Sequence, residues 1–147
     1  CGPSSKLCTE TQYTKGCELI RITESEDFSK VATVKRIKRL VRGPRDTVWL
    51  SLPCVRGCPW QYVNWALGTD NTRRKIRAHW KYFRMLWKNA REIIIHARSK
   101  GALVINEWPK GCRYWREPSV KKVFDSFFLL NSMAAPLVYD PKSMTCR

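Results

Sequence analysis

TRRKIRAHWKYFRMLWKNAREIIIHARSK, residues 72–100, places apolar or aromatic side chains at positions 76, 80, 83, 87, 90, 94 and 97. Steps of four and three alternate throughout. That is the return period of one helix face, so the stretch predicts a long amphipathic helix with a single core-facing stripe. Arg73, Arg74, Lys75, Lys81, Lys88, Arg91 and Arg98 populate the other faces. Gly101 follows the basic last turn, where a helix C-cap belongs. The flanks of this helix decide the fold class. DTVWLSLPC (46–54) precedes it and ALVINEWP (102–109) follows it, and each is a short apolar run closed by proline. Such runs predict strands buried on both faces, and strand, helix, strand predicts a parallel pair joined by a crossover.

Further out, CELIRIT (17–23) is short and rich in β-branched residues and predicts a strand, with Glu24, Glu26 and Asp27 collected at its carboxyl end. KVATVKRIKRLV (30–41) has helical spacing, a candidate cap in Ser29 and a stop at Gly43-Pro44. Residues 55–71 read as a polar, glycine-containing loop. SVKKVFDSFF (119–128) predicts a helix capped by Ser119, and APLVYD (135–140) a last strand. Residues 1–16 are a loose lead-in and 17–147 a single α/β domain. The expected architecture is Rossmann-like, a mainly parallel sheet flanked by helices, and incomplete.

The 147 residues include 28 Lys and Arg against 12 Asp and Glu, a formal charge of +16, while 44% are hydrophobic and seven are Trp. The apolar share supports a packed core and excludes a disordered basic tail. The charge points to a polyanionic partner, with nucleic acid first and DNA ahead of RNA. No run reaches the ~20 apolar residues of a membrane span. The nearest, Phe127 to Tyr139, is broken by Asn131, Ser132 and Pro136. No secretory leader is visible, so an intracellular, nuclear location is expected, and the start at Cys1 rather than Met implies a fragment, a processed product or a partial reading frame. Oligomeric state stays open.

Seven cysteines, an odd number, argue against a secreted disulfide scaffold. Cys54, Cys58 and Cys112 with one of Cys17, Cys146, His79 or His96 would supply four zinc donors, but only one close pair exists, spaced Cys-x3-Cys, so no metal is predicted. Cys54 itself reads either as a half-buried structural thiol or as a nucleophile in the loop after its strand.

Ligands of open α/β sheets sit at the carboxyl ends of strands. Here those ends carry Glu24, Glu26 and Asp27, then Cys54, then Asn106-Glu107. Neighbouring strands would bring an acid, a thiol and a second carboxylate into one crevice. At these residues the chain resembles a family. LSLPC after DTVW is similar to the strand and Pro-Cys catalytic loop of the cytosine-C5 DNA methyltransferases, and LVINEWP to their following strand with its Glu-Asn-Val motif. The likeness runs over roughly residues 17–125 and extends to methyltransferase-like domains carried by mobile elements.

The resemblance implies methyl transfer from S-adenosylmethionine to cytosine. It makes Cys54 the nucleophile on C6, Glu107 the carboxylate on the N3 edge, and Asp27 or Glu24 the acid contacting the cofactor. Arg56 would lower the thiol pKa, and Trp60 would stack against an extruded base. The chain departs from the pattern in having Leu52-Pro53-Cys54 for Pro-Pro-Cys and Asn106-Glu107-Trp108 for Glu-Asn-Val. It also lacks a glycine-rich loop in residues 1–16 and the later Gln-x-Arg-x-Arg motif. A second reading therefore stands beside the first: a catalytically inactive, basic nucleic-acid-binding fragment of a mobile element.

In either reading Arg73, Arg74, Lys75 and Arg77, with Lys35, Arg36, Lys38, Arg39 and Arg56, are the expected phosphate contacts. The helix start TRRKIR opposes the helix dipole and would be relieved by a phosphate. Trp60, Trp65, Trp108 and Trp115 flank the loops where bases could stack.

Overall fold

The computed structural model describes residues 15–22 and 26–130. Their elements in chain order are α1 (Val31–Leu40), β1 (Thr47–Leu50), α2 (Trp60–Leu67), α3 (Asp70–Ser99), β2 (Leu103–Asn106), a 3-10 turn (Arg113–Arg116) and α4 (Pro118–Leu130). β1 and β2 pair in parallel, with Thr47 opposite Leu103 and Leu50 opposite Asn106. The chain is therefore mixed α/β, built on a two-stranded parallel sheet with helices. The strand–helix–strand unit centred on α3 has formed as its periodicity predicts.

α3 carries the core. Ile76, Phe83, Trp87, Ala90, Ile94 and Ala97 of the predicted stripe are buried, and half-buried Trp80 packs against them. Opposite this stripe lie Leu50, Val104, Trp108, Cys112, Tyr114, Val120 and Val123. A second, smaller cluster joins Val34 and Ile37 of α1 to Ile93 of α3. Thr69 caps α3 by accepting the Thr72 amide, and Gly101, at φ +75°, closes it with its amide on the Arg98 carbonyl. A 30-residue helix extends about 45 Å, whereas a four-residue strand covers about 13 Å. Because α3 runs back antiparallel to the strand it feeds, its N-terminal half projects past the carboxyl ends of β1 and β2.

Several expectations need correction. Residues 17–22 are irregular rather than a strand: Leu19 and Ile20 are exposed and only Ile22 packs, against the small cluster. With no strand beside it, this segment has no ladder to join. β1 is covered on one face only. Trp49 stays 44% exposed, and the helices pack against Val48 and Leu50. Ser29 does not cap α1; Lys30 occupies the cap position with no side-chain bond, and Ser29 bonds Asp27 instead. Ser119 lies inside α4, which opens on Pro118, a residue suited to the first helical position because its missing amide is not needed there. The supposed loop at 55–71 contains α2. The expected strand at 135–140 lies outside the described residues, as does Glu24. Among the described residues no helix is long and apolar enough to cross a membrane.

Candidate nucleic-acid interface

The parallel register sets the two post-strand loops side by side, and polar bonds stitch them together. The Glu107 amide donates to the Leu50 carbonyl at 2.9 Å, Trp108 Nε1 to the Leu52 carbonyl at 2.9 Å, and the Arg113 amide to the Gly57 carbonyl at 2.8 Å. The Arg56 amide donates to the Tyr114 hydroxyl at 3.2 Å. Gly57 is required here: a Cβ would collide with Cys112 Sγ and come within 3.2 Å of the Tyr114 ring. Tyr114 in turn stacks on Phe83, with ring centroids 3.5 Å apart and planes 8° apart, and meets Trp80 and Trp108 edge-on. Burial pushes the Tyr114 hydroxyl up to about 12, against the bond it accepts from Arg56.

Above this aromatic floor four guanidiniums converge on three rings. Arg56 lies 5.3 Å from the Trp80 centroid and 5.8 Å from that of Trp65. Arg77 lies over Trp65 at 5.4 Å and Arg84 over Trp80 at 5.9 Å. Arg113 faces both Tyr62, at 5.1 Å, and Trp80, at 5.5 Å. Each such contact contributes about 0.5–2 kcal/mol, the larger values where water is excluded. Arg56 is the most confined, at 6% exposure, and its buried Nε has no hydrogen-bond partner. Desolvation, followed by the nearby Arg113 charge, holds its pKa below the usual guanidinium value. Among the described residues no carboxylate forms an ion pair with Arg56, Arg77, Arg84 or Arg113. A partly dehydrated cation cluster without an acid is a site that an anion would complete.

α3 extends this cluster. At 100° per residue, Arg77, Lys81, Arg84, Lys88 and Arg91 share one face, which borders the core stripe on its Trp80 side. Arg84, Lys88 and Arg91 line an open groove against the start of α4, with Glu117, Pro118 and Ser119 on its other side. Arg74 and Lys75 are exposed near the helix start, while Arg73 is engaged, pairing with Asp70 at 3.0 Å and donating Nε to the Trp65 carbonyl at 3.1 Å. Asp70 thus supplies part of the negative charge expected of a phosphate at that helix start. On α1, Arg36 pairs with Glu26 at 2.7 Å and Lys38 with Glu92 at 3.7 Å, whereas Lys35 and Arg39 are exposed. Trp60 is 71% exposed and Trp65 partly so, while Trp108 is core and Trp115 packs on it edge-on at 4.9 Å. Tyr62, Arg84 and Tyr114 have no place in the sequence reading, and Arg113 enters it only as an ion-pair partner for Glu107, not as an anion contact. Arg113 and Tyr114 follow the conspicuous Trp108-Pro109 strand end, the one signal that could have drawn attention to them.

The residues expected to do methyl transfer are placed differently. Glu107 accepts the Trp49 indole N–H at 3.1 Å, which puts its carboxylate on the uncovered face of the sheet. Cys54 packs against the core on the other face. The Arg56 guanidinium, expected to activate that thiol, is taken up by Trp65, Trp80 and the Arg113 field. Asp27 Oδ1 accepts both the amide and the hydroxyl of Ser29, at 2.9 and 2.6 Å, and Lys30 Nζ stands 4.0 Å from Oδ2. The two Ser29 bonds lower the Asp27 pKa and are those of a self-contained turn before α1. Asp27 is the one described member of the expected cofactor pair, and residues 17–22 before it form no strand. Cys17, Cys54, Cys58 and Cys112 form no disulfide, and no three His, Cys, Asp or Glu side chains gather as a metal-holding group among the described residues.

No protein-family model, curated protein or solved structure matches the chain.

Proposed function

We propose that the chain is a nucleic-acid-binding module whose contact surface is the arginine–aromatic cluster continued by the basic face of α3. One observation carries this reading: four guanidiniums, one of them buried, converge on Tyr62, Trp65 and Trp80 with no carboxylate to neutralise them among the described residues. Phosphate oxygens satisfy guanidinium donors in a fixed fork geometry, and planar rings accept bases or sugars beside them. The stripe from Arg77 to Arg91 spans about 21 Å at the helical rise, long enough to follow several successive phosphates. DNA is the partner we favour. Binding without methyl transfer is preferred to catalysis because Glu107 and Cys54 engage opposite faces of the sheet and Asp27 is committed to its own turn.

Fluorescence anisotropy with a labelled DNA duplex over a range of salt concentrations tests the reading. Affinity should fall linearly on a log–log plot as counterions compete. An affinity indifferent to salt, or no binding, would count against it.

A further inference from the structure

We propose that the outer face of α2 is a stacking platform for the unpaired bases of single-stranded nucleic acid, with Arg77 and Arg113 on the adjoining phosphates. This rests on the nucleic-acid reading and adds the form of strand recognised. α2 buries none of its eight residues, although WQYVNWAL is mostly apolar. Trp60, Tyr62, Val63, Trp65 and Leu67 are all exposed, Leu67 by 84%. A helix with no buried face cannot owe its position to the core. It is held by Gln61 Nε2 on the Val55 carbonyl at 3.0 Å, by Arg73 on the Trp65 carbonyl at 3.1 Å, and by the guanidiniums on its rings. Exposed apolar surface of this kind marks a binding face.

Charge complementarity selects the occupant. The rim of α2 is Arg56, Arg73, Arg77 and Arg113, and among the described residues only Arg73 has an acidic partner there. A second copy of a chain carrying +16 would bring like charge to like. A single strand brings both matching groups, phosphates for the guanidiniums and base faces for the rings. Tyr62 and Trp65, which carry cations, lie about 140–160° round α2 from Trp60, so a strand can stack a base on Trp60 while its backbone follows the arginine side. Every base has a π face, so this recognition tolerates any sequence. A duplex keeps its base faces stacked internally and offers α2 only phosphates.

The experiment compares a labelled oligothymidylate with a duplex of equal length, by anisotropy over a range of salt concentrations, for the full chain and for Trp60→Ala and Trp60→Phe. Trp60 is 71% exposed, so neither substitution threatens the fold. Trp60→Ala should weaken oligothymidylate binding about tenfold, leave duplex binding unchanged, and be largely rescued by Trp60→Phe. Unchanged oligothymidylate affinity in Trp60→Ala, with salt-dependent binding intact, would overturn the platform and leave the nucleic-acid reading standing. Loss of phosphatidylserine-vesicle binding or of self-association in Trp60→Ala, with oligothymidylate affinity unchanged, would assign α2 to a lipid surface or a second copy and also overturn it. Absence of salt-dependent binding to either strand form would bring down both proposals.

Discussion

Gly57→Ala probes the packing that places the arginine cluster. The Gly57 backbone is not in the left-handed region, so alanine is conformationally admissible and would on entropic grounds stabilise by about 0.4–1 kcal/mol. Packing reverses that sign. The new methyl would collide with Cys112 Sγ and lie 3.2 Å from Cδ2 and Cγ of Tyr114. Neither neighbour can retreat freely: both are buried, and Tyr114 is stacked on Phe83 at 3.5 Å. Overpacking costs about 1–3 kcal/mol, and two confined neighbours place this site at the upper end, about 3 kcal/mol. For a chain of this length that is a fall in Tm of about 6–12 °C. Cys112→Ala removes the obstructing sulfur and alone costs about 1 kcal/mol of burial. The double variant should then be about 2 kcal/mol more stable than the sum of the single effects requires, because the same sulfur is counted in both. Urea unfolding followed by tryptophan fluorescence measures all four corners of the cycle. Gly57→Ala should also weaken DNA binding, since the Gly57 carbonyl holds the Arg113 amide at 2.8 Å. A neutral or stabilising Gly57→Ala, or strict additivity with Cys112→Ala, would refute the reasoning.

Tyr114 predicts a loss of stability in alkali. Its pKa is raised from 10.0 to about 12 by burial, so the native state holds the proton more tightly than the unfolded chain. The contribution is complete below about pH 10 and is lost at about 1.4 kcal/mol per pH unit up to about pH 12. Tyr114→Phe should flatten that part of the urea-unfolding profile, and an unchanged slope would show the hydroxyl to be wet. Asn89→Ala removes the 2.8 Å bond from a buried side-chain amide to the Phe28 carbonyl, which ties the segment before α1 to α3. It should cost about 1–3 kcal/mol in the same assay, and a neutral result would contradict the anchoring role.

The stripe of α3, the two flanking strands, α1 and the Gly101 cap were legible because each rests on local periodicity or a single backbone requirement. α2 was not, since a helix that buries nothing leaves no apolar period to read; Pro59 before it and Gly68 after it were its only marks. CELIRIT misled for the opposite reason. Its β-branched composition suits a strand, but strand formation is decided by a neighbour, and exposed Leu19 and Ile20 show that the covering surface is missing. The basic residues were legible as a class, and their division was not. Arg36 and Lys38 find carboxylates through tertiary contact and Arg73 one within its own helix turn, whereas Arg56 and Arg113 come together across 57 positions of sequence because two parallel strands end side by side. Cys54 and Glu107 do follow neighbouring strands. The alternation of side chains carried past β2 sends Glu107 to Trp49, while Cys54, in the loop beyond Pro53, packs on the core.

The most direct test of the nucleic-acid account is the salt dependence of duplex DNA binding by the native chain and by the variant Arg77→Gln, Lys81→Gln, Arg84→Gln, Lys88→Gln. These four exposed side chains lie on one face of α3, form no ion pairs among the described residues and lie outside the core, so the core should survive their loss. Each phosphate contact contributes about 0.9 to the slope of log affinity against log salt, so the variant should be shallower by about 3–4 and weaker at every salt concentration. Equal slopes for the two proteins, or no measurable binding by the native chain, would contradict the account.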